Sequence, residues 1–148
     1  MNYKTIITKI LYELGIQKQY AGVKYLISCI DYIEHNEMTF LPVTKILYVD
    51  VAKLYNTSSI NVEQGIRSII QRIWNHPGNK ELIEKIFGKK YLQGRPTNTE
   101  FLIILHDYIN LSTNRIFIEL MEDNAFMCPK CNEKCLYCKD LFLELIKR

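Results

Sequence analysis

No apolar run in this chain approaches the roughly 20 residues that a helix needs to cross a bilayer. The N-terminus, Met1-Asn2-Tyr3-Lys4-Thr5-Ile6-Ile7-Thr8-Lys9, also lacks the long apolar core and small-residue cleavage site of a secretory signal. Both absences predict a cytoplasmic protein with no part in a membrane. Glycine and proline are scarce, six and four in 148 residues, and no glycine-rich phosphate loop can be found. Neither a Ser-His-Asp nor a Cys-His arrangement is present, nor any internal repeat, so the chain does not read as an enzyme. Charge of one sign is also nearly missing: the formal net charge of +3 is too small to argue for a nucleic-acid partner by itself. What remains is 48% hydrophobic residues, ample for one cored domain and a short appendage.

The apolar residues recur at helical spacing. Ile6, Ile7, Ile10, Leu11 and Leu14 predict a first helix over 5–14, stopped by Gly15. Tyr25, Leu26, Cys29, Ile30, Tyr32 and Ile33 predict a second, ending near His35 and Asn36, with Cys29 as a buried small hydrophobe and not a nucleophile. Pro42 opens a connection into a short helix at Thr44-Lys45-Ile46-Leu47. Asn75-His76-Pro77-Gly78 has to be a turn, after which Asn79 is expected to cap a helix over 80–87 that Gly88 ends. Lys89–Gly94 reads as a basic loop, extended enough to lie along DNA. Thr97 and Glu100 have the spacing of a capping box and open a very apolar helix running from Phe101 to about Leu111, on which His106 is a packed or partly exposed residue.

Between these lies the stretch around which the chain is organised. Residues 48–55 predict a helix with Val51, Leu54 and Tyr55 on its apolar side and Ala52 small enough for close crossing. Asn56-Thr57-Ser58-Ser59 are turn and cap residues. From Ile60 a second helix carries Val62, Ile66, Ile69, Ile70 and Ile73 at offsets 0, 4, 7, 8 and 11, one buried stripe. Its other side bears Asn61, Gln64, Ser68, Gln71 and Asn75, flanked by Arg67 and Arg72. Surface helices more often carry Lys and Glu pairs; a face of amides, hydroxyl and guanidinium is suited to base edges and phosphates in a major groove. Between Asn61 and Arg95, seven basic residues stand against three acids, so the basic excess gathers here. The whole reads as a helix-turn-helix.

Residues 5 to about 110 resemble the DNA-binding effector domain of the master sporulation response regulators of endospore-forming bacteria, the stage 0 sporulation protein A family. The resemblance is carried by Thr44-Lys45-Ile46-Leu47-Tyr48, Asp50-Val51-Ala52-Lys53, Asn56-Thr57, Val62-Glu63, Ile66-Arg67, Trp74 and Pro96-Thr97-Asn98-x-Glu100-Phe101. It implies an all-α domain of about six helices that binds short promoter boxes, with the helix at 60–74 in the major groove. Glu63 and Arg67 match DNA-facing family positions. Gln64 stands where the family has a base-contacting Arg, and Ser68 where it has a His, so an altered box is expected. The family's regulator begins with a phosphoacceptor receiver, whereas this chain starts at the effector, so aspartyl phosphorylation is not expected as its switch.

The expected interface is Asn61, Gln64, Arg67 and Ser68 for bases, with Glu63 and Gln71 on the same helix, and Lys45, Lys53, Arg72 and Arg95 for phosphates. Double-stranded promoter DNA is the expected partner. The alternative is an interaction protein that pairs with, or antagonises, the full-length regulator.

Residues 112–148 lie outside the resemblance and read as a C-terminal helical, Cys-rich extension to a domain of residues 1–111. Residues 112–124 predict an amphipathic helix with Ile116, Phe117, Leu120 and Met121 inward. Cys128, Cys131, Cys135 and Cys138 follow as two C-x-x-C pairs, able to close an all-thiolate site for one zinc ion, although the gap between pairs is short. With Phe142 and Leu145 the same cysteines fall at offsets 0, 3, 7, 10, 14 and 17, a heptad seam fit to pack on the domain or to form a homodimer. Iron–sulfur or redox-thiol chemistry is the remaining use. Metal analysis of protein prepared under reducing conditions separates these readings: one zinc per chain rules out the seam, and a metal-free chain rules out the zinc site.

Overall fold

The computed structural model describes residues 3–36 and 44–122. Among these there are six α-helices, two short 3₁₀ turns and no strand: α1 (Tyr3–Glu13), α2 (Ala21–His35), α3 (Thr44–Leu54), α4 (Ser59–Asn75), α5 (Lys80–Phe87) and α6 (Asn98–Glu122), with the 3₁₀ turns at Pro77–Asn79 and Lys89–Leu92. Contacts divide the chain into two units, Met1–Ile109 and Asn110–Arg148. In the second unit only the helical turns of α6 to Glu122 are described. The inward positions expected at Ile116, Phe117, Leu120 and Met121 and the cluster Cys128, Cys131, Cys135 and Cys138 lie outside the described side chains.

The first unit has one core. Ile7 and Leu11 of α1, Leu26 and Ile30 of α2, Leu47 and Val51 of α3, Ile83 and Phe87 of α5, and Phe101, Leu102, Leu105 and Ile109 of α6 close around the stripe Val62, Ile66, Ile69, Ile70 and Ile73 of α4. Each such buried side chain contributes about 1.5–3 kcal/mol relative to exposure. Cys29 is fully buried in this cluster, and burial pushes its thiol up to about 12, which removes it as a nucleophile.

What lets α4 sit at the centre is a close crossing with α2. A Cβ placed on Gly22 would lie 2.3 Å from the Gly65 carbonyl oxygen, and one placed on Gly65 would lie 3.2 Å from the Gly22 Cα. A mid-helix glycine costs roughly 1 kcal/mol relative to alanine, so Gly65 is kept for proximity and not for helix formation. Below the crossing, the Trp74 indole donates to the Tyr91 carbonyl at 2.7 Å and packs edge-on to Phe87 and Phe101, ring centroids 5.1 and 6.1 Å away. That contact ties the 89–92 turn to the end of α4.

Several expectations need correcting. The short helix expected at 44–47 and the one at 48–55 are a single α3, since nothing between Leu47 and Tyr48 breaks a helix. Leu54 is not on the buried side but 72% exposed, because the inward face is set by Leu47, Tyr48, Val51 and Ala52 and Leu54 lies about a quarter turn away. Residues 89–92 form a compact 3₁₀ turn and not an extended strip. Asn79 precedes α5 but makes no capping bond to it. Its buried Nδ2 instead donates to the carbonyls of Leu14 at 2.9 Å and Ile73 at 3.0 Å, joining the ends of α1 and α4. The capping box is present as expected, with Glu100 N–H donating to Thr97 Oγ1 and Thr97 N–H to Glu100 Oε2, both at 3.2 Å.

Gly22→Ala is expected to lower stability by about 1–3 kcal/mol, because the new methyl meets backbone that cannot rotate away. Gly65→Ala is expected to cost less, since helix propensity returns roughly 1 kcal/mol. Thermal unfolding of the two variants checks the order. Asn79→Ala strands two carbonyls and is expected to cost about 3 kcal/mol, read from the midpoint of a urea titration.

Candidate nucleic-acid interface

The turn between α3 and α4 sets the geometry. Asn56 adopts φ 52°, the left-handed conformation that asparagine tolerates better than most residues. The Thr57 N–H reaches back to the Ala52 carbonyl at 3.0 Å and the Asn56 N–H to that of Lys53 at 3.4 Å, so α3 ends in a Schellman turn. Ser58 then caps α4, its hydroxyl accepting from the Asn61 N–H at 3.2 Å. Asn61 Nδ2 donates to Thr57 Oγ1 at 3.0 Å, which restrains the amide and leaves its carbonyl oxygen unused by that bond. Two helices joined by four residues, each satisfied by its own side chains or backbone, make a helix-turn-helix of the expected kind.

On α4, Asn61, Gln64, Arg67, Ser68, Gln71 and Arg72 are all exposed, and Glu63 is half-buried. The amides of Gln64 and Gln71 have no side-chain partner among the described residues, so their donors and acceptors are available. Ser68 Oγ donates to the Gln64 carbonyl at 2.9 Å, so its hydroxyl presents acceptor lone pairs outward. Arg67 Nη2 donates to Glu63 Oε1 at 2.6 Å. In solvent such an i, i+4 pair adds only a few tenths of a kcal/mol; its consequence is positional, since it holds the guanidinium toward the α6 side of α4. Arg72 lies over the ring of Tyr20, 4.2 Å from its centroid, and so stands on the opposite flank, toward α2.

Five of the expected residues come together, Glu63 among them. Lys45, Arg67, Gln71 and Arg95 line one open groove of about 520 Å³ with Tyr48, Glu63 and residues 96–99 at the start of α6. Asn98 holds this wall in place by donating from Nδ2 to the Glu63 carbonyl at 3.1 Å. The groove does not include Asn61, Gln64, Ser68, Lys53 or Arg72. Lys53 is exposed on the last turn of α3. Cations therefore lie on both sides of the amide face, with Arg72 toward α2 and Lys45, Arg67 and Arg95 toward α6.

Two contributors to this surface escaped sequence reasoning. Tyr48 was legible only as part of a matched motif, and nothing in its spacing signals that its hydroxyl ends beneath the groove. Asn98 sits inside a capping box, where its own side chain has no assigned task.

Among the described residues no group of three or more His, Cys, Asp or Glu is placed to hold a metal, and no helix is long and apolar enough to cross a membrane. The arrangement offers hydrogen-bonding groups for base edges along α4 and positive charge beside them. The family model of the sporulation initiation factor Spo0A C-terminal domain matches residues 7–109, more than half of the chain, and the chain thus belongs to this family of helical DNA-binding effector domains of sporulation regulators.

Proposed function

We propose that the chain is a sequence-specific, double-stranded DNA-binding transcriptional regulator of the cytoplasm, reading a promoter box in the major groove with α4. The observation that carries this reading is the outward side of α4 itself. Asn61, Gln64, Ser68 and Gln71 are exposed and oriented by a helix whose opposite side is wholly buried, which is how a recognition helix presents short polar groups at fixed spacing. Surface position alone is common to many helices; the reading is supported here by cations on both flanks of α4, Arg72 on one and Lys45, Arg67 and Arg95 on the other, as contact with the two strands bordering a groove requires.

Gln64 is the residue that sets the box apart. A glutamine pairs with adenine through N6 and N7, and an arginine with guanine through O6 and N7. The box read by this chain therefore carries adenine where relatives with arginine at that position read guanine. The interaction reading, in which the chain pairs with or antagonises a full-length regulator, predicts instead an outward α4 that makes no base contact.

Selection from random duplex DNA is expected to return one enriched box, with affinity falling steeply as salt rises. Gln64→Arg is expected to shift preference at one base pair toward guanine by about 1–3 kcal/mol, measured by electrophoretic shift on the two boxes. Arg67→Ala is expected to weaken binding at least tenfold. An unenriched pool, with binding only to the full-length regulator, would transfer the function to the interaction reading.

A further inference from the structure

Base reading leaves one feature of the groove beside α4 unused. Tyr48 is 7% exposed, and its hydroxyl is fully buried with no hydrogen-bond partner, the only buried side-chain oxygen or nitrogen so placed among the described residues. The neighbouring Asn98 amide gives one Nδ2 hydrogen to the Glu63 carbonyl at 3.1 Å and is close enough to favour the phenolate, but as a donor it leaves the phenol's own O–H without an acceptor. A buried hydroxyl in this state is unfavourable relative to phenylalanine at the same place. It lies on the wall of the groove that Lys45, Arg67 and Arg95 line.

The surroundings define the missing partner. Burial above all pushes the phenol up to about 12, so the group is an O–H donor at neutral pH. Three cations line the groove against one carboxylate, that of Glu63, which is bound to Arg67 at 2.6 Å. The start of α6, a 25-residue helix, closes the same groove, and a helix N-terminus favours an anion. Glu100, the other carboxylate nearby, is occupied by the Thr97 N–H at 3.2 Å. Three cations and a phenol donor set against one ion-paired carboxylate fit an anionic, multi-oxygen ligand.

We propose that this groove is a cradle for one phosphate of the DNA backbone, in which the Tyr48 hydroxyl donates to a non-bridging oxygen while Lys45 and Arg95 close on it at the N-terminus of α6. This rests on the DNA-binding reading and adds to it a specific residue on α3 and a specific end of α6. Because a phosphate carries no base identity, the cradle fixes how α4 lies in the groove and not which box it selects.

The test is Tyr48→Phe in the full chain, with duplex affinity and thermal unfolding measured side by side. The cradle predicts about tenfold weaker binding, as for loss of one hydrogen bond to a charged oxygen, with unchanged box preference and a melting temperature equal to or above that of the parent. Arg95→Ala is expected to reduce the salt slope by about one, while Tyr48→Phe leaves the slope in place. Single methylphosphonates moved along the box should reveal one position where the parent loses affinity and Tyr48→Phe does not. Equal affinity of parent and Tyr48→Phe for a tightly bound box overturns the cradle and leaves the recognition helix standing. Failure of the parent to bind any duplex overturns both. Inorganic pyrophosphate that binds the parent but not Tyr48→Phe, with duplex affinity alike in the two, assigns the groove to a free phosphate compound and overturns the backbone assignment.

Discussion

The contact between Gly22 and Gly65 is the constraint on which the rest of this domain depends. With no Cβ on either side, the backbones of α2 and α4 approach to a distance that any other residue at Gly22 would prevent. This approach sinks α4 deep enough for all five of its apolar side chains to be buried at once. It also determines which part of α4 remains outside. A helix held at arm's length by larger side chains would leave some of the stripe wet and would be free to roll about its axis. Held this closely, it keeps Asn61, Gln64, Ser68, Gln71 and Asn75 on the outside.

The other fastenings secure the ends of the same helix. Ser58 and the left-handed Asn56 define where α4 begins. At its far end Asn79 bonds the Ile73 carbonyl and carries the chain back to Leu14, and Trp74 fixes the following turn through the Tyr91 carbonyl. That turn leads to Arg95 and to the capping box, so the position of the groove wall is inherited from the end of α4. Asn98 closes the circuit by bonding the Glu63 carbonyl. The amide face and the cationic groove are thus two consequences of one placement, although they lie on different sides of the helix.

Much of this was legible in the residues because helical periodicity is local. The stripe of α4, the stops at Gly15 and Gly88, the Ser58 turn and the reciprocal Thr97–Glu100 cap each need only neighbours within a few positions. The misses share the opposite property. Leu54 reads as apolar and therefore inward, but the packing of α3 on α2 and α4 chose a face a quarter turn away. Asn79 occupies a capping position, yet two carbonyls from distant helices compete for its amide and win, and one of them lies 65 residues back. Tyr48 looks like one more core aromatic, and only the arrival of α6 shows that its oxygen is stranded beside a row of cations. The helix-turn-helix and its outward residues could be named from spacing alone. The groove could not, since its two walls come from segments that meet only in the folded chain.

The buried side of α4 consists of one valine and four isoleucines. Branching at the β-carbon leaves each of these with essentially a single side-chain rotamer inside a helix, so the inner surface behaves as a stiff casting rather than a set of adjustable parts. A regulator mounted in this way can exchange its outward letters without disturbing the bearing beneath them. The residues presented outward can therefore change one or two at a time while the packed side that holds them stays the same.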